Sequence, residues 1–149
     1  MAKLTQALLG GLFFSFILDY FLFLGLKLNY IDTLGIELYF NTFFADNQNP
    51  LFFALLTITL GYLLIYTPKH IHFFVMVFIF GVTLSTLIPN IGREVGEYIF
   101  MKKSVTLHNK NFKFVGDIYY VGRDTITFYD KELEKTIQLK KEELTDETY

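Results

Sequence analysis

The chain has 149 residues, the size of one functional unit, and 52% of them are apolar, with a mean hydropathy of +0.37. Thirteen Lys and Arg against fifteen Asp and Glu leave a net charge of −2, too balanced to suggest a nucleic-acid binder with its basic stripe. There is no cysteine, so disulfides, thiolate metal sites and cysteine nucleophiles are excluded too.

Charge divides the chain. Residues 1–101 carry four Lys or Arg (Lys3, Lys27, Lys69, Arg93) against six carboxylates, whereas residues 102–149 carry nine of each sign. The composition predicts a transmembrane domain over 1–101 and a small soluble domain over 102–149. A hydrocarbon core about 30 Å thick needs roughly 20 apolar residues per helix. Leu8–Leu26, Leu51–Thr67 and Ile71–Ile88 approach or meet that length, giving three expected spans. Pro68-Lys69-His70 allows only a tight helical hairpin between the second and third. The first span is expected to be retained, because no small-x-small cleavage site precedes "KLNYID".

Between the first two spans, Thr33, Glu37 and Asn41 stand at i, i+4, i+8, with Leu34, Ile36, Leu38, Phe40 and Phe43 around them. That spacing predicts an interfacial amphipathic helix over 31–45. If the segment crossed the membrane instead, the topology would change by one span. With three spans, Lys27, Arg93, Lys102 and Lys103 share one side, and Lys3 and Lys69 share the other. The positive-inside bias then predicts an inner-membrane protein with a cytoplasmic C-terminal domain, although Lys3 and the α-amine pull the N-terminus the same way.

Membrane helices associate through close packing and hydrogen bonds, and small residues four apart mark the faces that approach. Gly11, Ser15 and Asp19 form such a stripe in the first span. Thr57 and Gly61, with Ala54 and the neighbouring Tyr62, form one in the second, and Gly81 and Ser85 one in the third. These stripes predict that the spans meet each other and assemble into a homo-oligomer. Asp19 is the costly member, because a carboxylate at the centre of a span costs about 3 kcal/mol. Two solutions are open: a protonated Asp19 hydrogen-bonded to a neighbour, with Thr57, Thr59, Tyr62, Thr83, Ser85 and Thr86 as candidates, or an Asp19 facing a water-filled path. His70 and His72 flank the hairpin turn but lack a third ligand, so no metal is expected.

Pro89-Asn90 closes the third span, and Ile91, Val95 and Ile99 predict a juxtamembrane helix over about 91–101. After Lys103 the period becomes two. Val105/Leu107, Phe112/Phe114/Ile118/Tyr120, Ile126/Phe128 and Ile137/Leu139 predict four short strands separated by turns. "KKEELTDETY" reads as a charged helical turn or tail. The strand order, with a long bent second strand, resembles an SH3-like or Sm-like small barrel over about forty residues, a meander being the alternative. Lys110, Lys113, Arg123 and Lys131 are candidates for a basic binding patch.

No nucleophile elbow, phosphate loop, HExxH or carboxylate pair beside a His is present, so neither an enzyme nor a cofactor is expected. The expected function is a membrane-anchored module whose β domain binds a protein or small ligand. The alternative is an oligomeric pore with Asp19 lining the path and the β domain as gate. A few spans followed by a small β domain resemble membrane effectors and sensors of bacterial anti-phage systems, and equally the pore-plus-barrel plan of small mechanosensitive channels.

Overall fold

The computed structural model describes residues 2–109 and 112–145. They form five α-helices and a four-stranded antiparallel sheet, in two compact units, Met1–Arg93 and Glu94–Tyr149.

In the first unit, α1 (Ala2–Leu26) continues through a π-helical turn at Lys27–Ile31. This 30-residue helix is long and apolar enough to cross a membrane. It is followed by α2 (Phe40–Asn47), α3 (Pro50–Tyr66), α4 (Lys69–Ser85) and the start of α5 (Pro89–Phe100). Helices α3 and α4 have 17 residues each, or about 26 Å at 1.5 Å per residue. Asn49 caps α3, its Oδ1 accepting from the amides of Leu51 (3.0 Å) and Phe52 (3.1 Å), with Pro50 in the first turn. The chain bends by 83° between α2 and α3 and by 85° between α4 and α5.

Contacts along α1 fix the helix directions. Ala7 meets Gly61, Gly11 meets Thr57 and Asp19 meets Gln48, so α3 runs antiparallel to α1. Phe14 meets Phe80 and Gly25 meets Thr86, so α4 runs parallel to it. Leu18, Leu60 and Met76 form the buried core where the three helices pack. Helix α2 leans on α1 through edge-to-face pairs, Tyr20–Phe40 (5.4 Å) and Phe23–Phe43 (5.7 Å).

The interfacial helix anticipated over 31–45 is corrected. Helix starts only at Phe40, and residues 32–39 turn and then extend. Gly35 has φ +67, its amide donates to the Asp32 carbonyl at 3.0 Å, and the Ile36 amide donates to the Ile31 carbonyl at 3.1 Å. This is a Schellman cap: the αL glycine stops the helix, and Ile36 buries itself beside the fully buried Ile31. The Thr33–Glu37–Asn41 spacing required an unbroken helix across Gly35.

In the second unit, β1 (Lys102–His108), β2 (Lys113–Val121), β3 (Thr125–Asp130) and β4 (Lys135–Lys140) pair in the order β1-β2-β3-β4. The sheet is an open meander, the second of the two arrangements anticipated. A 3₁₀ turn at Lys141–Glu143 then brings Leu144 to a single bridge with Asn109, and His108 accepts from the Thr145 amide at 2.9 Å. Leu107, Ile118, Ile126 and Phe128 form the buried core, with Val105, Ile137 and Leu139 packed against it. Registers Ile118↔Phe128, Phe128↔Ile137 and Ile126↔Leu139 put these residues on one face, as the two-residue period of a strand requires. Gly116 is needed where β2 lies close against β3: a Cβ there would run into the Tyr129 carbonyl and stand 2.9 Å from the Phe128 ring. The last residues of the anticipated charged tail, 146–149, lie outside the described residues.

Candidate functional site

Gly11, Ser15 and Asp19 do lie on one face of α1, and that face meets α3. A Cβ on Gly11 would run into the Thr57 carbonyl oxygen and lie 2.9 Å from the Gly61 nitrogen. One on Gly61 would run into the Ala7 carbonyl. The two backbones therefore touch, which only glycine at both positions permits. Ser15 is fully buried and Thr57 is 9% exposed. Their hydroxyls, Ser15 Oγ and Thr57 Oγ1, are buried without a hydrogen-bond partner among the described residues.

Asp19 closes the seam. It is 5% exposed, and its Oδ2 accepts a hydrogen bond of 2.9 Å from Gln48 Nε2. None of the expected partners, Thr57, Thr59, Tyr62, Thr83, Ser85 and Thr86, is the one that bonds it. Gln48 sits between α2 and α3, two residues before Pro50. Asp19 is near the middle of its apolar stretch in sequence, yet in space it is level with the N-terminal end of α3.

The other stripe residues are placed differently. Tyr62 points outward, 60% exposed, and stacks on Tyr66 at 5.4 Å. Gly81 faces open space, with nothing within 4 Å of an added Cβ. Ser85 turns back to its own helix, donating to the Val82 carbonyl at 2.7 Å. Two of the three stripes meet, and the third faces away from both.

A second polar cluster escaped the sequence reading. Asn29, in the π-helical turn, donates through Nδ2 to the Thr86 carbonyl at 2.8 Å. Thr86 also covers Gly25, and its carbonyl would clash with a Cβ on Gly92. Thr33 Oγ1 donates to the carbonyls of Asn29 (3.0 Å) and Tyr30 (2.9 Å), and Lys27 pairs with Asp32 beside them. This junction ties the end of α1 to the α4–α5 corner. The signal was the "IPNIG" break opposite an Asn inside an apolar helix, but no local period links Asn29 to Thr86.

On the β unit the three described candidates, Lys113, Arg123 and Lys131, lie towards different ends of β2. Lys110 lies outside the described residues. Lys113 opens β2, whereas Arg123 lies beyond its far end. Lys131 sits near the Lys113 end and pairs with Asp117 at 3.1 Å. The Asp117 Oδ1 also accepts from the Ser104 amide at 2.7 Å. That bond holds the Asp117 carboxyl below its ordinary value; partial burial opposes it, and Lys131 adds to it. An open groove of about 380 Å³ lies beside these residues, lined by Phe112, Phe114 and Leu133 with Lys113, Asp130 and Glu132. Phe112 is 66% exposed and Leu133 54%.

A further groove of about 310 Å³ runs between α1, α3 and α4, with an apolar lining that includes Phe14, Leu64 and Phe80 and with His72 at one end. Among the described residues, no three His, Asp or Glu side chains gather as a metal site. Comparison with protein-family models, with curated proteins and with solved structures gave no match for this chain.

Proposed function

We propose that the chain is a multi-pass membrane protein without enzymatic activity, whose three helices α1, α3 and α4 cross the bilayer and whose β unit binds a protein or small ligand at its surface. The observation that carries this reading is the inverted surface of the helices. Leu9 (62% exposed), Phe13 (60%), Phe52 (60%), Phe74 (69%) and Phe78 (70%) all face outward, while Ser15, Asp19 and Thr57 are buried. Water penalises an apolar surface of that extent, whereas lipid accommodates it.

In this reading α1, α3 and α4 cross up, down and up. The α3–α4 turn lies on one side with Ala2, and α2, the Lys27–Ile31 turn and α5 lie on the other. The 17-residue helices are at the lower end of the spanning range and need slight bilayer thinning. Helix α2, with eight residues, is far too short to cross. Lys27, Arg93, Lys102 and Lys103 then face the cytoplasm with the β unit. Asp19 falls at the end of α3 rather than at mid-membrane, so the cost of its carboxyl is smaller than its place in the sequence suggests.

Asp19 is covered by its own chain and held by Gln48. That arrangement favours a structural link over a residue lining a path between copies, and so favours the anchored module over the pore. Gly11, Ser15, Thr57 and Gly61 are already used inside one chain, which leaves the Gly81–Ser85 face of α4 for contact between copies. The Phe112–Leu133 groove is the surface offered to a ligand.

The chain has no cysteine, so single-cysteine labelling from either side of sealed vesicles tests the topology directly. Cysteines at Ala2 and Lys69 should label from one side, and cysteines at Asn47 and Lys135 from the other. Labelling of Ala2 and Lys135 from the same side would overturn the three-span arrangement.

A further inference from the structure

Helix α5 divides into three sectors at roughly 100° per residue. Gly92 and Gly96 are buried, Gly92 against Asn29 and the Thr86 carbonyl. Arg93, Glu94 and Glu97 form the polar sector. Ile91, Val95, Tyr98 and Ile99 form the third, and this apolar sector is left open: Ile91 is 38% exposed, Ile99 53% and Tyr98 92%. A helix so strongly amphipathic with an uncovered apolar face needs an occupant for that face.

We propose that this occupant is the lipid surface. The 85° bend between α4 and α5 supplies the geometry, because an α4 that runs through the bilayer sends α5 along its plane. The tight packing of Gly92 fixes that turn at the first residues of α5. The apolar surface is also continuous: Val82 (55% exposed) and Ile88 (53%) carry the outward face of α4 to the corner, where Ile91 takes it up. Tyr98 has the ring and hydroxyl of a residue that sits at headgroup depth. Lys102 and Lys103, both exposed, follow at once, at the level of the lipid phosphates. Helix α5 is thus an in-plane helix sunk to the acyl boundary, as amphipathic surface helices are. The inference rests on the membrane reading given above.

The protein contains no tryptophan, so a single introduced one reports its own surroundings. Ile99→Trp and Tyr98→Trp place it on the open face, Glu94→Trp on the polar face and Phe78→Trp on the outward face of α4. Each full-length variant is reconstituted in vesicles whose acyl chains carry bromine near the headgroup for the α5 variants and near the chain end for Phe78→Trp, which lies close to the middle of α4. Expected are at least twofold quenching for Ile99→Trp, Tyr98→Trp and Phe78→Trp, and little for Glu94→Trp. If Phe78→Trp is quenched while both open-face variants behave like Glu94→Trp, the in-plane helix is overturned and the membrane reading stands. A blue-shifted but unquenched Ile99→Trp would mean that protein covers the face, and would overturn the inference as well. Absence of quenching at Phe78→Trp would overturn both readings.

Discussion

Gln48 and Asp19, 29 residues apart, meet in a hydrogen bond of 2.9 Å from the Gln48 amide to the Asp19 carboxyl. The bond fastens the α2–α3 corner to the side of α1 and satisfies a buried polar group that would otherwise be costly. Breaking it leaves one partner unpaired, a penalty of about 1–3 kcal/mol. Asp19→Asn keeps an acceptor oxygen at the same place, so its thermal midpoint in detergent should stay close to the parent's. Asp19→Leu and Gln48→Leu should each lower the midpoint, and the double variant should cost less than the sum of the two. Additive losses would show that the two side chains do not act as a pair.

The contrast between Gly61 and Gly81 gives a sharper test of how the helices pack. Both glycines belong to stripes that look alike in sequence, but a Cβ on Gly61 meets the Ala7 backbone and one on Gly81 meets nothing. Gly61→Val should separate α1 from α3 and cost several kcal/mol, beyond the usual 1–3 kcal/mol of an overpacked core. Gly81→Val should leave the thermal midpoint of a single chain unchanged. If α4 meets a second copy through this face, that variant should instead shift the oligomer band in crosslinking or light scattering.

These cases also show what the sequence can and cannot say. The four strands were legible because alternation is a local signal, and the Ile137/Leu139 pair falls inside β4, Lys135–Lys140. The break between α3 and α4 was legible because proline removes a donor and stops a helix. The partner of Asp19 was not, since Gln48 is brought to it by a corner whose angle no local pattern encodes. The stripes of small residues carried no information on which stripe faces which. Residues 32–39 were misread because a helical spacing was followed across Gly35, whose freedom to adopt positive φ ends the helix. Within the basic patch, the length of β2 separates Lys113 from Arg123, a distance that their charges alone do not encode.

Asn29 and Thr86 offer a third test, at the junction the sequence reading missed. The Asn29 side chain donates to the carbonyl at the C-terminal end of α4, where the helix leaves its last acceptors unsatisfied. Asn29→Ala should cost about 1–3 kcal/mol by stranding that buried carbonyl. Asn29→Asp should cost at least as much, since a carboxylate cannot donate to it. Hydrogen exchange should rise first in residues 83–92. Unchanged exchange there would mean that glycine packing alone holds the corner.

The pairing of Ser104 with Asp117 predicts how the β unit responds to acid. Ser104 has φ +56 at the point where the β1–β2 register slips, and its amide donates to Asp117 Oδ1 at 2.7 Å. This bond favours the charged carboxylate, so the folded unit holds the Asp117 proton less tightly than the unfolded chain does. The stability it contributes is complete above the ordinary carboxyl value of 3.8 and is lost as pH falls through the lower folded value. As pH falls from about 4 to about 2, amide exchange in residues 102–106 and 115–118 should therefore accelerate more than in β3–β4, after correction for the intrinsic pH effect on exchange. In Asp117→Asn the side chain still accepts from Ser104 but cannot titrate, so this extra acceleration should disappear while exchange at neutral pH rises through loss of the Lys131 pair. If the acid response survives in Asp117→Asn, another group is titrating. The local strain at Ser104 would then be held by the sheet register and not by its hydrogen bond.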